Sequence, residues 1–293
     1  MSAAASGRHV AILGLGYSAQ EFARQAMAGG ARVSGTTRDD DKATRLREQG
    51  VVILETPEGR LRPDALEGVT DLVISAPPRP EGCPALAMAR ETLERATDLR
   101  WIGYYSSTAV YGDCGGDWID ETRAPAPRGN DAKARLVAEA EWRNIAARHG
   151  AACDILRISG IYGPGRDRLA TLRAGTAKAV DKPGQVFNRI HRDDIAGATL
   201  AAMLSPAGER LTNLADGHPC SSVELLCGLA DMLSLPRPEI TPFDAAAMPP
   251  GMAGFFAENR RLKNERLRTL PGFTLRYPHW RAGYQAIIAA EAG

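Results

Sequence analysis

The sequence predicts an α/β fold built on a doubly wound parallel sheet, and two patterns indicate it. Short apolar runs of strand length alternate with longer helical patterns through the first 160 residues. The runs are mostly apolar throughout, which is typical of strands buried on both faces of a parallel sheet. We therefore expect helices on both faces and ligands beyond the carboxyl ends of the strands.

The predicted strands are six apolar runs, at residues 9–14, 31–36, 51–54, 71–76, 101–107 and 153–160. Helices are predicted at residues 17–29, 39–49, 84–99, 131–149, 168–179, 192–204, 221–234 and 279–291. After about residue 160, Pro- and Gly-rich loops separate the helical segments. We therefore expect a first domain over residues 1–160 and a smaller α/β lobe over residues 161–293, intertwined with the first and not an independent domain.

The composition excludes several classes of protein. Of 293 residues, 44% are hydrophobic and 24% are charged, and the net charge is +1, which argues against a nucleic-acid-binding surface over the whole protein. No apolar run approaches the roughly 20 residues that cross a bilayer, so we expect no membrane partner and a cytoplasmic location. Five widely spread cysteines without zinc-finger spacing are expected to be free thiols, and no metal site is predicted: Cys83, Cys114, Cys153, Cys220 and Cys227.

A glycine-rich turn follows the first predicted strand. Gly14, Gly16 and Ala19 form the pattern G-x-G-x-x-A between a strand and a helix. The two glycines allow a tight turn and a close approach of the backbone to a pyrophosphate, and the small third residue lets the helix pack on the strand. We predict that this turn, with Tyr17 and Ser18 inside it, binds a dinucleotide. The first domain is then a Rossmann-type dinucleotide-binding domain, and the second part is a substrate lobe.

The end of the second predicted strand indicates which dinucleotide binds. Sites that prefer NAD carry an Asp or Glu about 20 residues after the glycine turn, but here the strand ends in the neutral residues Ser34, Gly35 and Thr36. Thr37 and Arg38 follow, and Arg pairs well with phosphate. We therefore expect NADP, with NAD as the less favoured cofactor. The alternative is that Arg38 is a solvated residue in front of the next helix.

Four later stretches carry a family resemblance. They are "SSTAVYGD" (residues 106–113), "RISGIYGPGR" (157–166), "NRIHRDDIAGA" (188–198) and "LTNLADG" (211–217). The four stretches follow a predicted nucleotide-binding fold in this order. With them, the chain resembles the extended short-chain dehydrogenase/reductase superfamily, in its NAD(P)-dependent epimerase/dehydratase group, over nearly its whole length. The glycine pattern is similar to that of the short, atypical members.

The resemblance implies roles for several residues. Ser107, at the end of the fifth predicted strand, corresponds to the Ser or Thr that hydrogen-bonds the reacting oxygen. The turn of Ser75, Ala76 and Pro77 after the fourth strand would run along the adenosine ribose and the pyrophosphate. Ser107 and this turn are therefore predicted to be a catalytic residue and cofactor contacts.

The family's Tyr-x-x-x-Lys pair, whose Tyr transfers the proton, is absent. Family members place a Glu four residues beyond the Lys, so Glu139 puts Arg135 at the Lys position and Asp131 at the Tyr position. Counting from Lys133 instead puts Gly129 at the Tyr position, so neither register supplies a phenol. Asp131 and Arg135 are also an i,i+4 pair that would stabilise a helix, and Arg135 is predicted to touch the cofactor as well.

Other residues are candidates for the missing proton donor. Tyr111 and Tyr162 lie in loops that the resemblance places near the nicotinamide or substrate, and we take Tyr162 as the second predicted catalytic residue. His191 and the acids after it could form a relay, but the family precedent is structural, with Asp193 or Asp194 capping a helix.

Two functions are consistent with these residues. The first is an NAD(P)(H)-dependent oxidoreductase or epimerase/dehydratase-like enzyme acting on a carbonyl or hydroxyl group of a small molecule, with a nucleotide sugar as one candidate. Arg166 would then contact an anionic group of the substrate. The second is a non-catalytic module that senses NADP(H), which the missing Tyr–Lys pair favours. The resemblance also implies a homodimer.

Overall fold

The central sheet contains seven parallel strands: β1 (His9–Leu13), β2 (Arg32–Gly35), β3 (Val52–Ile53), β4 (Asp71–Ile74), β5 (Trp101–Ser107), β7 (Ala152–Ile158) and β11 (Glu209–Leu214). In the computed structural model, which describes residues 4–248 and 250–292, their order is β11-β7-β5-β4-β1-β2-β3. The connections run in opposite directions on the two sides of β1, so the predicted doubly wound sheet is confirmed.

The helices are α1 (Tyr17–Ala28), α2 (Asp40–Glu48), α3 (Pro84–Leu93), α4 (Asn130–His149), α5 (Leu169–Arg173), α6 (Arg192–Leu204), α7 (Ser222–Met232), α8 (Pro250–Phe256), α9 (Glu265–Arg268) and α10 (Trp280–Ala292). Helices α1 and α6 pack against each other on one face of the sheet, around buried residues such as Phe22 and Ile195. Helices α3 and α4 cover the other face with Leu93 and Trp142. Within the described ranges, no helix has both the length and the apolar character that crossing a membrane requires.

Outside the central sheet, the described residues form three short pairs of parallel strands, most of whose strands come from the predicted small lobe. The pairs are β6 (Trp118–Ile119) with β13 (Arg261–Leu262), β8 (Gly160–Tyr162) with β10 (Arg189–His191), and β9 (Lys178–Asp181) with β12 (Glu239–Pro242). The lobe has its own apolar core, to which Leu229, Trp280 and Tyr284 belong. The five cysteines are free thiols, as the sequence predicted.

Strand β11 was not among the predicted strands. It comes from the second part of the chain and pairs with β7 along its whole length, from Glu209 to Leu214. Its polar residues interrupt the apolar pattern that identified the other strands. Two of them have partners across the fold: Arg210 binds the buried carboxylate of Asp154, and Asn213 Oδ1 accepts from the Tyr111 hydroxyl. Residues 161–293 therefore contribute both to the sheet and to the small lobe.

Two predicted helices are shorter than expected. The helix predicted at residues 168–179 ends at Arg173, and strand β9 begins at Lys178. Gly175 has a φ of +65°, a left-handed conformation that ends a helix. The helix predicted at residues 84–99 ends at Leu93.

A buried polar network ties the carboxyl edge of the sheet to α4. The Glu139 carboxylate of α4 accepts from Ser106 Oγ of β5 at 2.6 Å and from Arg157 Nε and Nη2 of β7 at 2.9 and 2.8 Å. The Arg157 guanidinium lies 4.6 Å from the centre of the Tyr111 ring, and the Tyr111 hydroxyl donates to Asn213 at 2.7 Å. The network therefore links β5, β7, β11 and α4.

Two buried carboxyl groups lie where the small lobe meets the sheet. Asp194 accepts from the backbone N–H groups of Arg276 and Tyr277 at 2.7 and 3.0 Å, and burial raises its pKa to about 6. Asp216 accepts from the His218 N–H at 2.9 Å, but its second oxygen has no hydrogen-bond partner among the described residues. Burial raises the pKa of Asp216 to about 7.

Replacing Glu139 with Gln should lower the free energy of unfolding strongly. The substitution leaves the buried Arg157 guanidinium without a carboxylate, and breaking a buried ion pair typically costs about 3–5 kcal/mol. Chemical denaturation monitored by circular dichroism measures the effect. The control is Glu91→Gln, which breaks the exposed pair with Arg60 and should change stability by less than about 1 kcal/mol. Equal effects of the two variants would contradict the structural role of the network.

Replacing Asp216 with Asn should change how stability depends on pH. Burial raises the pKa of Asp216 from its ordinary value of 3.8 to about 7 in the folded state. Between these values the folded state binds more protons than the unfolded state, so the contribution of Asp216 to the free energy of unfolding falls as pH rises.

Because Asn cannot ionise, the stability of Asp216→Asn relative to the wild type should rise between pH 4 and pH 8, by more than about 1 kcal/mol. Urea titrations across this range measure the difference. The exposed substitution Asp64→Asn serves as the control. A difference between Asp216→Asn and the wild type that stays constant with pH would refute the prediction.

Candidate active site

The glycine turn lies at the point where the strand order of the sheet reverses. Gly14 follows β1 with a φ of +101°, and a Cβ at this position would lie 2.8 Å from the backbone nitrogen of Ala76. Only glycine therefore fits between the ends of β1 and β4. The N–H groups of Ser75 and Ala76 both donate to the carbonyl of Leu13 at 3.0 Å. The predicted contacts Gly14, Ser75 and Ala76 therefore lie together, and Pro77 follows as an exposed residue.

Thr36 at the end of β2 holds the glycine turn from the other side. Its Oγ1 accepts from the Gly14 N–H at 2.9 Å, and its carbonyl accepts from the Leu15 N–H at 2.8 Å. From the sequence, Thr36 is only a neutral residue at the position where an acid would bind ribose. A hydroxyl residue at the end of the second strand was the available signal, but its partner 22 residues away is visible only in the fold.

Helix α1 begins directly after this turn. Gly16 precedes it in an extended conformation and provides no side-chain cap, and no acidic residue lies in the first turn. The first N–H groups of a helix have no partner within the helix, so they are available to an anion. Ala19 is fully buried, and the buried Ser18 hydroxyl has no hydrogen-bond partner among the described residues. The turn, Tyr17 and Ser18 therefore lie together at a helix end that has no side-chain cap.

The predicted cofactor contacts after β2 are accessible. Arg38 is exposed, and no carboxylate in the described ranges lies within ion-pair distance of it. The neighbouring Asp39 instead caps α2 by accepting from the Lys42 N–H at 2.9 Å. Thr37 is half-buried, and its hydroxyl oxygen is 3.4 Å from the Asp39 nitrogen. Both Thr37 and Arg38 can therefore contact a bound group.

Ser107 is the last residue of β5. It is half-buried, and its Oγ accepts from the Ala109 N–H at 3.2 Å, which caps the short 3-10 turn over Thr108–Tyr111. Accepting this bond leaves the hydroxyl hydrogen of Ser107 able to donate. Ser107 therefore combines a structural contact with a donor at the carboxyl edge of the sheet.

Arg135 reaches the same edge from α4. Its Nη1 donates to the carbonyl of Tyr105 at 3.1 Å, two residues before Ser107. Asp131 and Lys133 on the same helix are exposed. When the family motif is counted from Glu139, its Lys position is Arg135, which lies beside β5. Its Tyr position is then Asp131, an exposed carboxyl residue.

Tyr162 lies in the core of the small lobe. Only 4% of the residue is exposed, and its ring stacks on Tyr284 and meets His191 edge-on, both at centroid distances of 5.1 Å. Its hydroxyl has no partner in the described part of the chain. Burial raises the pKa of the phenol above its ordinary value. This placement packs Tyr162 inside the lobe core, where its hydroxyl is shielded from solvent.

His191 begins helix α6. Its Nδ1 accepts from the Asp193 N–H at 3.1 Å, so His191 itself caps the helix. The expected cap, Asp193 or Asp194, was wrong. Asp194 instead binds the backbone of the segment before α10. Burial lowers the pKa of His191 to about 4, and the imidazole is therefore neutral at neutral pH. The stretch "IHRDDIAG" thus serves mainly to join the two parts of the chain.

Comparisons with known proteins place this arrangement among its relatives. No protein-family model matches the chain. Protein YeeZ of Escherichia coli strain K12 is 31% identical over 245 residues, which cover 79% of this chain and 86% of YeeZ. A structure of a conserved protein of unknown function from Silicibacter pomeroyi is 35% identical, with a TM-score of 0.89, and covers 97% of this chain and 99% of its own.

Two further structures connect the fold to dinucleotide enzymes. A protein from Methylobacillus flagellatus, whose name assigns it to the NAD-dependent epimerases/dehydratases, is 30% identical, with a TM-score of 0.73, covering 98% of this chain and 100% of its own. The UDP-glucuronic acid 4-epimerase of Bacillus cereus in complex with NAD shares the fold at 14% identity, with a TM-score of 0.73 and coverages of 96% and 99%.

The fold and the glycine turn agree with these likenesses along nearly the whole chain. The protein therefore belongs to the family of Escherichia coli YeeZ, within the NAD-dependent epimerase/dehydratase group, and is an atypical member of the short-chain dehydrogenase/reductase superfamily.

Proposed function

We propose that this protein is an NADP(H)-dependent oxidoreductase or epimerase acting on a carbonyl or hydroxyl carbon of a small molecule. The observation that carries the proposal is the glycine turn at the β1–β4 switch. Gly14 packs on the backbone of Ala76 and is held by Thr36, which leaves the first turn of α1 open to a pyrophosphate.

The residues around this turn suit a dinucleotide. The close approach at Gly14 would be blocked by any Cβ, and the Ser18 hydroxyl is a buried polar group without a partner among the described residues, which a phosphate oxygen could satisfy. Gly16, Tyr17 and Ala19 complete the start of the helix. Ser75, Ala76 and Pro77 would border the same ligand beyond β4.

Thr37 and Arg38 are proposed to hold the 2′-phosphate of NADP. An exposed guanidinium without a carboxylate neighbour in the described ranges can bind phosphate with two parallel hydrogen bonds. The neutral end of β2 offers no carboxylate to the 2′-hydroxyl of NAD. These two features together support NADP over NAD.

The nicotinamide of the cofactor supplies or accepts the hydride. The Ser107 hydroxyl would donate a hydrogen bond to the reacting oxygen, because the Ala109 N–H occupies its acceptor side. Arg135 would add a positive charge near the same edge, which favours a developing alkoxide. Without a phenol on α4, the proton would come from solvent or from the substrate itself.

A substrate panel can start from the names of the structural neighbours. The neighbour from Bacillus cereus is by name an enzyme of a nucleotide sugar, so sugar nucleotides belong in a first substrate panel beside small aldehydes and ketones. A homodimer stays a prediction. Val137 on α4 is 60% exposed, which makes this helix a surface to examine for self-association.

A second candidate function is a non-catalytic sensor of NADP(H). The exposed Asp131 at the Tyr position favours it, because no proton donor of the family type stands beside Ser107. In this case the cofactor would bind through the same contacts, and Ser107 would only cap the turn after β5.

Replacing Arg38 with Ala should weaken NADP binding by about tenfold to a hundredfold and leave NAD binding nearly unchanged, since a charge-assisted hydrogen bond is lost only with the 2′-phosphate. Isothermal titration calorimetry with both nucleotides measures this. Arg45→Ala, an exposed charge removal within α2, is the control and should affect neither. An equal loss for both nucleotides would contradict the assignment.

Replacing Ser107 with Ala should slow turnover by roughly a hundredfold on any substrate that the panel reveals, because one donor to the reacting oxygen is removed. Consumption of NADPH followed by absorbance measures the rate, and Ser107→Thr, which keeps a hydroxyl, should retain more activity. Tight NADP(H) binding without turnover on any substrate would instead favour the sensor.

A further inference from the structure

Tyr17 connects the start of α1 to the small lobe. Its hydroxyl donates to the carbonyl of Pro164, 147 residues further along the chain, at 2.9 Å. A Cβ on Gly163 would lie 2.6 Å from this hydroxyl, so glycine is required where the phenol enters. The first residue of the predicted pyrophosphate helix therefore contacts the turn that follows β8.

Two guanidinium groups lie beside the Tyr17 ring. The Cζ atoms of Arg192 and Arg166 are 4.9 and 5.8 Å from the ring centre. Their other neighbours differ. Arg192 lies 3.8 Å from a carboxylate oxygen of Glu21 and 3.6 Å from one of Asp193, whereas no carboxylate among the described residues lies within ion-pair distance of Arg166. Arg166 is exposed, so its charge is available to a ligand.

The turn that carries Arg166 has a defined backbone. Gly163 and Arg166 exchange backbone hydrogen bonds, with N···O distances of 3.3 and 2.9 Å. Gly165 between them has a φ of +72°, which favours glycine. The position of Arg166 relative to Tyr17 therefore follows from a tight turn and one cross-lobe hydrogen bond.

We propose that Arg166 completes the pyrophosphate site from the small lobe, and that Tyr17 positions it there. The inference rests on the dinucleotide site proposed above and adds a residue to it. The uncapped start of α1 and the buried Ser18 hydroxyl, which has no partner among the described residues, adjoin Tyr17 in the chain, and the Arg166 guanidinium lies 5.8 Å from the Tyr17 ring centre. A pyrophosphate bound at the helix would carry its negative charge towards this guanidinium.

The arrangement links cofactor binding to the substrate lobe. The turn with Arg166 follows β8, and β8 pairs with β10, which leads into α6. A pyrophosphate that draws Arg166 inwards would therefore fix the turn against α1 before substrate binds. Arg192 lies near the carboxylates of Glu21 and Asp193, which also pair with Arg24 and Arg276, so its charge is partly compensated and it would mainly pack on Tyr17.

Calorimetric titration of NADP⁺ into the full-length wild type and Arg166→Ala tests the proposal. We expect about tenfold weaker binding to Arg166→Ala and a smaller dependence of its affinity on salt. Arg168→Ala, which removes an exposed charge two residues further on, should bind as the wild type does. Equal affinities of Arg166→Ala and Arg168→Ala would overturn the role of Arg166. A wild type that binds no pyridine nucleotide would instead overturn the dinucleotide site itself.

Two further measurements separate the parts of the proposal. Adenosine 2′-phosphate, which lacks the pyrophosphate, should bind the wild type and Arg166→Ala equally in competition with NADP⁺. A weaker binding to the variant would show that Arg166 does not act on the pyrophosphate. Tyr17→Phe should weaken NADP⁺ binding several-fold in the wild type and not in the Arg166→Ala background, because its hydroxyl acts through Arg166. Additive losses would refute the positioning role of Tyr17.

Discussion

The close approach of Gly14 to the backbone of Ala76 is the constraint on which the rest of the site depends. It brings the ends of β1 and β4 into contact at the switch point of the sheet, and no side chain fits between them. Thr36 fixes the same turn from β2 through its hydroxyl and its carbonyl. Three neighbouring strands thereby set the direction of α1, whose first N–H groups remain open for an anion.

The carboxyl edge of β5 departs from the family resemblance in a definite way. Ser107 keeps its position, and Arg135 extends from α4 to the carbonyl of Tyr105. Glu139 holds α4 against β5 and β7 through Ser106 and Arg157. The residues that surround the family's site are thus kept, with Arg135 at the Lys position, but Asp131 replaces the Tyr that transfers the proton. A fixed positive charge can stabilise an oxyanion but cannot deliver a proton at neutral pH, which distinguishes this site from one with a Tyr–Lys pair.

The small lobe is joined to the sheet by polar contacts of single residues. Asp194 binds the segment before α10, His191 caps α6, and Tyr17 donates to Pro164. The Asp194 and Tyr17 contacts join parts of the chain that are 82 and 147 residues apart, whereas the His191 contact is local to the start of α6. The Tyr17 contact lies at the start of α1, directly after the glycine turn, and ties this end of the helix to the turn that follows β8.

The sequence by itself determined the strands of the first half, the glycine turn and the neutral end of β2, because hydrophobic periodicity and glycine's backbone freedom are local properties. Tertiary structure decided what required a distant partner. β11 is a strand because it pairs with β7. Thr36 can hydrogen-bond the glycine turn because β2 lies beside β1. Tyr162, which the resemblance places near the nicotinamide or substrate, is buried against Tyr284 of α10, a helix that packs beside β10, the partner of β8. No local pattern encodes such contacts, since their partners lie from 22 to 122 residues away along the chain.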